Sequence, residues 1–174
     1  MIFTRTALDG LIVLRAEPRG DARGDFARLW CAADFAAAGV PFAPSQISLS
    51  RNHARHTLRG LHWQASPHAE TKLVRPQAGR IFDVAADLRP GSRTYRQWLG
   101  LELDAGRMDA LLIPAGFAHG FLTLTENAEV LYMIDTPYAP AAVRGARFDD
   151  PALGIVWPAA PALVGEKDLL WPAL

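Results

Sequence analysis

Residues 72–89, KLVRPQAGRIFDVAADLR, carry the pattern that decides the fold. From Ile81 to Arg89 the side chains alternate between two faces. One face carries Phe82, Val84, Ala86 and Leu88, and the other carries Asp83, Asp87 and Arg89. A period of two indicates a β-strand. Lys72–Arg75 precedes this strand across Ala78-Gly79, so the sequence predicts a hairpin between the two segments.

Similar short patterns recur along the chain. Trp98–Leu103 alternates leucines, and Phe121–Thr125 with Val130–Ile134 predicts a second hairpin across Glu126-Asn127. The helical candidate of note is Ala32–Ala38, which is rich in alanine. Roughly ten short strands separated by glycine and proline favour an all-β sandwich, barrel or jelly roll with short peripheral helices. The repeated amphipathic helices of a doubly wound α/β fold are missing.

Composition restricts the class of protein further. The chain has 174 residues, half of them hydrophobic, which fits a single domain over residues 1–174. Its 18 basic and 18 acidic residues balance, so no nucleic-acid or membrane partner is expected. The single cysteine, Cys31, excludes an intramolecular disulfide and a thiolate zinc site. No signal peptide or long apolar run is visible, and a cytoplasmic location is the expectation.

The densest polar cluster is Thr57–Gln64, TLRGLHWQ. A lone histidine such as His62 is more often a hydrogen-bonded core residue than a functional one. Here Arg59 and Gln64 shift the balance, because both are costly to bury without partners. Strict alternation places Arg59 and His62 on opposite faces, so they share a site only if Gly60 marks a bulge or bend.

A second histidine lies in Ile113–Phe121, where a Pro-x-Gly turn precedes His119. It is either a capping residue of a tight turn or the second histidine motif of a cupin. Cupin metal sites use His-x-His in the first motif, but this chain has Gln64 at the second of those positions, and glutamine is a poor ligand for zinc or iron. His53 and His56 lie in a polar stretch that indicates a solvated loop. The sequence therefore predicts no catalytic metal.

Four more polar residues interrupt apolar surroundings, namely Lys72, Asp83, Tyr132 and Asp168. Taken singly, each has an ordinary structural explanation: an exposed charge, a buried partner, a half-buried phenol and a carboxylate of the C-terminal segment. Spacing along the chain does not bring them together.

Taken as an ordered series, the motifs resemble the dTDP-4-dehydrorhamnose 3,5-epimerase family over nearly the whole length. The matching segments are Asp21–Gly24, Leu58–Gln64, Lys72–Arg75, Phe82–Arg89, Gly91-Ser92, Trp98, Pro114–Phe121, Tyr132, Tyr138–Pro140, Asp149–Pro151, Gly154-Ile155, Trp157-Pro158 and Lys167-Asp168. The resemblance implies a cupin-type jelly roll (a double-stranded β-helix), a homodimer with exchanged strands, a nucleotide-diphospho-sugar substrate and no cofactor.

The resemblance also implies roles for residues. His62 is similar to the general base, Asp168 to the carboxylate that orients it, Tyr132 to the acid on the opposite face, and Lys72 to the cation facing the enolate oxygen. The positions similar to substrate-binding residues are Arg23, Gln46 and Arg59 for the diphosphate and nucleotide, Phe26 and Tyr138 around the base, and His119 with Asp83 in the pocket. Inversion beside a ketone needs such a base, an acid on the other face and a cation for the enolate.

Two positions depart from the family pattern. Many members carry a carboxylate where this chain has Arg28, and asparagine where it has Ser48. Both lie at the nucleotide end, so the preferred base, the sugar and the number of inverted carbons stay open. The alternatives are a ketoisomerase on the same scaffold, a non-catalytic sugar-nucleotide-binding cupin and, least favoured, a metal-dependent dioxygenase.

Overall fold

The computed structural model describes all residues, Met1–Leu174, and most of its regular structure is extended. The first seven strands are β1 (Ile2–Arg5), β2 (Ile12–Arg15), β3 (Arg19–Asp21), β4 (Gly24–Phe26), β5 (Gln46–Asn52), β6 (Thr57–Gln64) and β7 (Lys72–Ala78). The others are β8 (Arg80–Asp87), β9 (Trp98–Asp104), β10 (Asp109–Ile113), β11 (Phe117–Thr123), β12 (Ala128–Ile134), β13 (Val143–Gly145) and β14 (Leu163–Val164). Two short helices, α1 (Ala32–Ala37) and α2 (Glu166–Leu169), and two 3-10 turns complete the fold.

The long strands form two sheets that face each other. Sheet 1 has the order β1-β2-β10-β7-β12-β5, and sheet 2 has the order β13-β6-β11-β8-β9, with β14 beside β6. Side chains from both sheets, among them Val74, Leu111 and Val130 of sheet 1 and Ile81 and Phe121 of sheet 2, make the main apolar core. This closed pair of sheets confirms the all-β, cupin-type jelly roll.

Both predicted hairpins are wrong, although their strands are present. β7 pairs with β10 and β12 in sheet 1, whereas the next strand, β8, pairs with β11 and β9 in sheet 2. In the same way β11 belongs to sheet 2 and β12 to sheet 1. The short turns therefore carry the chain from one sheet to the other. Alternation of residue types along a segment indicates a strand with two different faces, but it does not indicate which strand lies beside it.

The predicted alternation of β8 is confirmed, and its charged face is the one that lies buried between the sheets. Asp83 and Asp87 point between the sheets and are fully buried, while Val84 and Ala86 pack on the outside beneath Leu153. Both faces of the strand are thus covered, which is why a charged residue on it needs a partner.

The predicted helix is confirmed, ending one residue earlier than expected, at Ala37. Phe35 of this helix lies on the outer face of sheet 1, with its ring 5.0 Å from that of Phe3 and 5.7 Å from that of Phe42. It closes a second apolar cluster over that sheet. No helix has the length and apolar character needed to cross a membrane.

Candidate active site

Between the sheets lies a cavity of about 830 Å³, and most of the residues that line it are of polar types. Strands of both sheets and the segment around α2 contribute side chains to it. The residues predicted from the sequence that line it are His62, Asp168, Tyr132, Lys72, Gln46, Arg59, His119 and Tyr138. The structure thus brings together all four predicted catalytic residues and four of the six predicted substrate-binding residues.

A bulge in β6 places Arg59 and His62 at the same cavity. His62 lies opposite His119 in β11, whereas Arg59 lies opposite Phe121, so three steps along β6 match two along β11. Gly60 has a φ of +120°, and a Cβ there would stand 2.5 Å from Gly120 Cα. Only glycine fits at this point. Gly60 therefore marks the bulge that the sequence analysis required if Arg59 and His62 were to share one site.

His62 and Asp168 form a close pair although they are distant in sequence. His62 Nε2 lies 2.6 Å from Asp168 Oδ1, and the Gly60 N–H donates to Asp168 Oδ2 over 3.2 Å. Burial by itself raises the pKa of the Asp168 carboxyl, but the hydrogen bond and charge of His62 and the Gly60 N–H outweigh it and hold that pKa below its usual range. Because an ionised carboxylate only accepts hydrogen bonds, Nε2 carries a proton and Nδ1 remains available as a base.

The C-terminal segment is fixed over sheet 2, which positions Asp168. Arg147 donates from a guanidinium nitrogen to the Leu169 carbonyl over 2.7 Å. The Trp171 indole packs directly on Gly145 of β13, which lies opposite His62. The Trp171 ring also meets the His62 imidazole edge to face, at 6.2 Å between centroids. The absence of a side chain at residue 145 therefore lets this segment reach the histidine.

Substitution of Gly145 by alanine should release the C-terminal segment. An added Cβ overlaps the Trp171 indole, so the segment and Asp168 must shift, and overpacking of this kind costs about 1–3 kcal/mol. We expect the midpoint of thermal unfolding to fall by roughly 2–10 °C. Gly106→Ala is the matched control, because the nearest atom to its Cβ is Asp104 Oδ1 at 3.3 Å. Equal unfolding midpoints for the two variants in calorimetry would contradict this docking.

A second charged pair involves Lys72, whose Nζ lies 2.8 Å from Glu70 Oε1. The other Glu70 oxygen accepts from Gln64 Nε2 over 2.9 Å, and Gln64 Oε1 accepts from the Ala139 N–H over 2.6 Å. Gln64, found at the position of a metal ligand in other cupins, thus bridges a carboxylate and the loop next to Tyr138. The sequence analysis missed Glu70. Residues two apart in an extended chain point to the same side, so Glu70 could have been noticed as a neighbour of Lys72.

The third pair joins His119 and Asp83, the buried carboxylate of β8. His119 Nε2 lies 2.8 Å from Asp83 Oδ1, and both side chains are almost completely buried. The Tyr132 ring is perpendicular to the His119 ring at 5.9 Å. Burial raises the pKa of the Tyr132 phenol well above its usual value, the Asp83 carboxylate adds to the increase, and the Arg59 charge opposes it. Tyr132 is therefore protonated at neutral pH and can donate a proton.

Arg59 extends along the cavity and is held by Asn52, which the sequence analysis also missed. Arg59 Nε donates to Asn52 Oδ1 over 2.7 Å, and Asn52 Nδ2 donates to the Ala128 carbonyl over 3.1 Å. No carboxylate pairs with Arg59. Its terminal N–H groups are free for an anion, and phosphate oxygens match the guanidinium geometry.

Arg23 and Phe26 do not join the cavity of their own chain. They lie on the hairpin of β3 and β4, where the Arg23 side chain is 89% exposed and pairs with Asp21, and Phe26 is 76% exposed. Arg28, which follows this hairpin, is also exposed and lies 3.8 Å from Asp34. Ser48, the other departure from the family pattern, does line the cavity.

No group of three or more His, Cys, Asp or Glu side chains is arranged to hold a metal ion. His53 and His56 lie in the loop between β5 and β6, as the sequence predicts.

The sequence profile of the dTDP-4-dehydrorhamnose 3,5-epimerase family matches residues 5–174. A curated member from Pseudomonas aeruginosa is 44% identical over 170 residues, which are 97% of this chain and 93% of the relative. The crystal structure of the epimerase from Bacillus anthracis, with TDP and PPi bound, superposes with a TM-score of 0.96 at 35% identity and covers 99% of both chains. The Legionella pneumophila epimerase in complex with dTDP-4-keto-L-rhamnose gives 0.93 at 34% identity, over 99% of this chain and 92% of that one.

Fold, cavity and relatives together define the class: the chain is an isomerase built on a cupin-type jelly roll. More narrowly, it belongs to the dTDP-4-dehydrorhamnose 3,5-epimerase family, which confirms the resemblance found in the sequence.

Proposed function

We propose that this protein inverts the carbons next to the C4 ketone of dTDP-4-keto-6-deoxyglucose, giving dTDP-4-dehydrorhamnose. The observation that carries the proposal is the placement of base and acid on opposite sheets. His62, paired with Asp168 of α2, projects from β6 of sheet 2, and Tyr132 projects from β12 of sheet 1 into the same cavity. Removal of a proton from one face and addition of a different proton to the opposite face is what an epimerase needs and a ketoisomerase does not.

In the first step His62 Nδ1 takes the proton from the carbon beside the ketone. Asp168 accepts a hydrogen bond from the Nε2–H group and stabilises the imidazolium that forms. The electrons move to the ketone oxygen, where the Lys72 ammonium stabilises the enolate. The substrate brings its own ketone, so the step involves no change of oxidation state.

In the second step the enolate carbon receives a proton from Tyr132 on the face opposite His62, which inverts the centre. The raised pKa of Tyr132 keeps this proton in place until the carbanion forms. Exchange with solvent then removes the proton from His62 and returns one to Tyr132, and both groups are ready for the second carbon. Arg59 holds the diphosphate, so the sugar ring stays in the cavity while this carbon is inverted.

We propose that a second copy of the chain completes the nucleotide end of the site. Arg23 and Phe26 lie on an exposed hairpin, and β5 is an edge strand whose inner face, with Gln46 and Ser48, lines the cavity. We infer a homodimer in which the partner's hairpin adds to this edge and supplies its arginine and phenylalanine. The exposed Ile47 and Leu49 on the outer face of β5 provide apolar surface for the contact. We place the dimer in the cytoplasm, as the sequence predicts.

Incubation with dTDP-4-keto-6-deoxyglucose in deuterated water, followed by NMR, tests this function. Each inversion exchanges a carbon-bound proton with solvent, so we expect deuterium at both C3 and C5 and inverted configurations there. Deuterium at C3 alone would reduce the reaction to a single epimerisation. A carbonyl signal that moves to C3 would identify a ketoisomerase, and nucleotide binding without any exchange would identify a non-catalytic binding protein.

A further inference from the structure

Glu70 is a buried carboxylate at the cavity, and neither proton-transfer step uses it. It is 9% exposed and its contacts are all accounted for: one oxygen faces Lys72 Nζ at 2.8 Å, and the other accepts from Gln64 Nε2 at 2.9 Å. Burial of a carboxylate costs free energy unless the group is paired and hydrogen-bonded, so the presence of Glu70 beside Lys72 calls for an explanation at the site.

The ammonium of Lys72 has three N–H donors, and the structure shows where two of them point. One is directed to Glu70 Oε1, and a second to the His62 carbonyl oxygen at 3.4 Å. The third is left for the cavity that Lys72 lines. A lysine side chain turns freely about four bonds, and these two acceptors restrict it to one orientation.

Gln64 fixes Glu70 in turn and links it to a second part of the site. Its amide nitrogen donates to Glu70 Oε2, and its amide oxygen accepts from the Ala139 N–H. Ala139 follows Tyr138, which lines the cavity. The set Lys72, Glu70, Gln64 and Ala139 is a continuous chain of contacts from the ammonium to the Tyr138 loop.

We propose that Glu70 is a positioning residue, which aims the free N–H of Lys72 at the enolate oxygen of the sugar. The proposal rests on the function proposed above. It extends the machinery for charge stabilisation by one residue that does not touch the substrate and acts through Lys72.

The first experiment monitors the contact between Lys72 and Glu70 by NMR and needs no substrate. Lys72 and Lys167 are the lysines of the chain, so protein labelled with ¹⁵N at lysine Nζ gives two side-chain signals. The Lys72 signal is identified by its loss in Lys72→Met. In Glu70→Gln we expect this signal to move, because the negative charge 2.8 Å from the ammonium nitrogen has been removed. The other ionisable side chains facing the cavity, which are unchanged in this variant, are Arg59, His62, His119, Tyr132, Tyr138, Glu166, Lys167 and Asp168.

Glu129→Gln is the matched control, since Glu129 pairs with Arg51 at 3.0 Å and lies outside the cavity. It should leave the Lys72 signal in place. An unmoved signal in Glu70→Gln would overturn the proposal at the level of the contact.

The second experiment measures the consequence for the exchange reaction. For Glu70→Gln we expect kcat to fall roughly 10–100-fold, the magnitude for a misplaced catalytic group, while KM changes less than about 3-fold. A fall in kcat without a matching change in KM is a result that loss of packing alone would not produce. Glu70→Asp keeps the charge but withdraws it by one methylene, so kcat should fall in this variant as well. Glu129→Gln should match the wild type.

A double variant separates action through Lys72 from any other effect. If Glu70 works only by positioning Lys72, then Lys72→Met/Glu70→Gln is no slower than Lys72→Met. Additive losses, or a Glu70→Gln enzyme with wild-type kcat, would overturn the role of Glu70 while the wild-type exchange still stands. Absence of exchange in the wild type would instead overturn the proposed function, and the role of Glu70 with it.

Discussion

Replacement of His62 by alanine should lower the rate of solvent exchange at the sugar carbons by about 10²–10⁴-fold, the range that a general base contributes. His62 has a ring nitrogen, Nδ1, that can accept a proton, because Asp168 holds the other nitrogen at 2.6 Å. His119 is paired with Asp83 in the same way, but its side chain is 4% exposed, whereas that of His62 is 31% exposed to the cavity. NMR in deuterated water measures this directly, since each removed proton is replaced by deuterium.

Nucleotide binding should change little in the same variant. Arg59, which we assign to the diphosphate, is held by Asn52 at 2.7 Å and makes no contact with the imidazole. Calorimetric titration with TDP should give a Kd within about 3-fold of the wild type, a difference below 1 kcal/mol. His53→Ala, in the exposed loop after β5, is the control for loss of a histidine. Exchange by His62→Ala within a few-fold of the wild type would remove His62 from the role of base.

Individual strands could be predicted from the sequence, but which strands pair with each other could not. Alternation marked β8, β9 and much of β7, β11 and β12, because a strand with two unlike faces shows a period of two whatever its neighbours are. It placed β7 beside β8, whereas the chain crosses to the other sheet at Gly79. Strand pairing in a jelly roll depends on contacts between segments that are far apart in the sequence, and local residue patterns do not indicate these contacts.

The site shows the same division. The residue types of Thr57–Gln64 indicated a functional cluster, and the need for a bulge at Gly60 was predictable from alternation alone. Lys72, Tyr132 and Asp168 each had an ordinary explanation in the sequence, and it was the family resemblance that grouped them. Glu70 escaped notice because its importance lies in one contact with a neighbour whose own role was not evident from spacing.

Arg23 and Phe26 mark the limit of what one chain can show. The resemblance assigned both to the substrate, and the structure places them on an exposed hairpin outside the cavity. In the homodimer that we propose, both residues act in the partner subunit, and in their own chain they are exposed and do not line the cavity. The sequence of one chain does not show which exposed residues have such a role.

Asp168→Asn should reduce kcat by about 10²–10⁴-fold even though the side chain keeps its shape, the order of loss seen when the carboxylate of such a pair is made an amide. In the wild type the carboxylate accepts a hydrogen bond from the Nε2–H group of His62 and leaves Nδ1 as the base. An asparagine amide can donate to Nε2 instead, which moves the proton to Nδ1 and blocks the base.

Asp168→Ala distinguishes this tautomer effect from simple loss of a contact. Alanine leaves the imidazole free to adopt either tautomer, so the asparagine variant should be no faster than the alanine variant, although it fills the space better. An asparagine variant clearly faster than the alanine variant would indicate that packing around Asp168, and not its control of the proton, matters for the rate.

The pH dependence of stability gives a second test that needs no substrate. The pKa of Asp168 is lowered in the folded protein, because the contacts with His62 and the Gly60 N–H outweigh the effect of burial. Its carboxylate therefore stabilises the fold above the unfolded value of about 3.9, and this contribution is lost as the pH falls through the lower, folded value. The difference in free energy of unfolding between the wild type and Asp168→Asn should accordingly be present from neutral pH to about pH 4 and shrink below it. A difference that stays constant down to pH 2 would show that the charge of Asp168 does not stabilise the His62 pair.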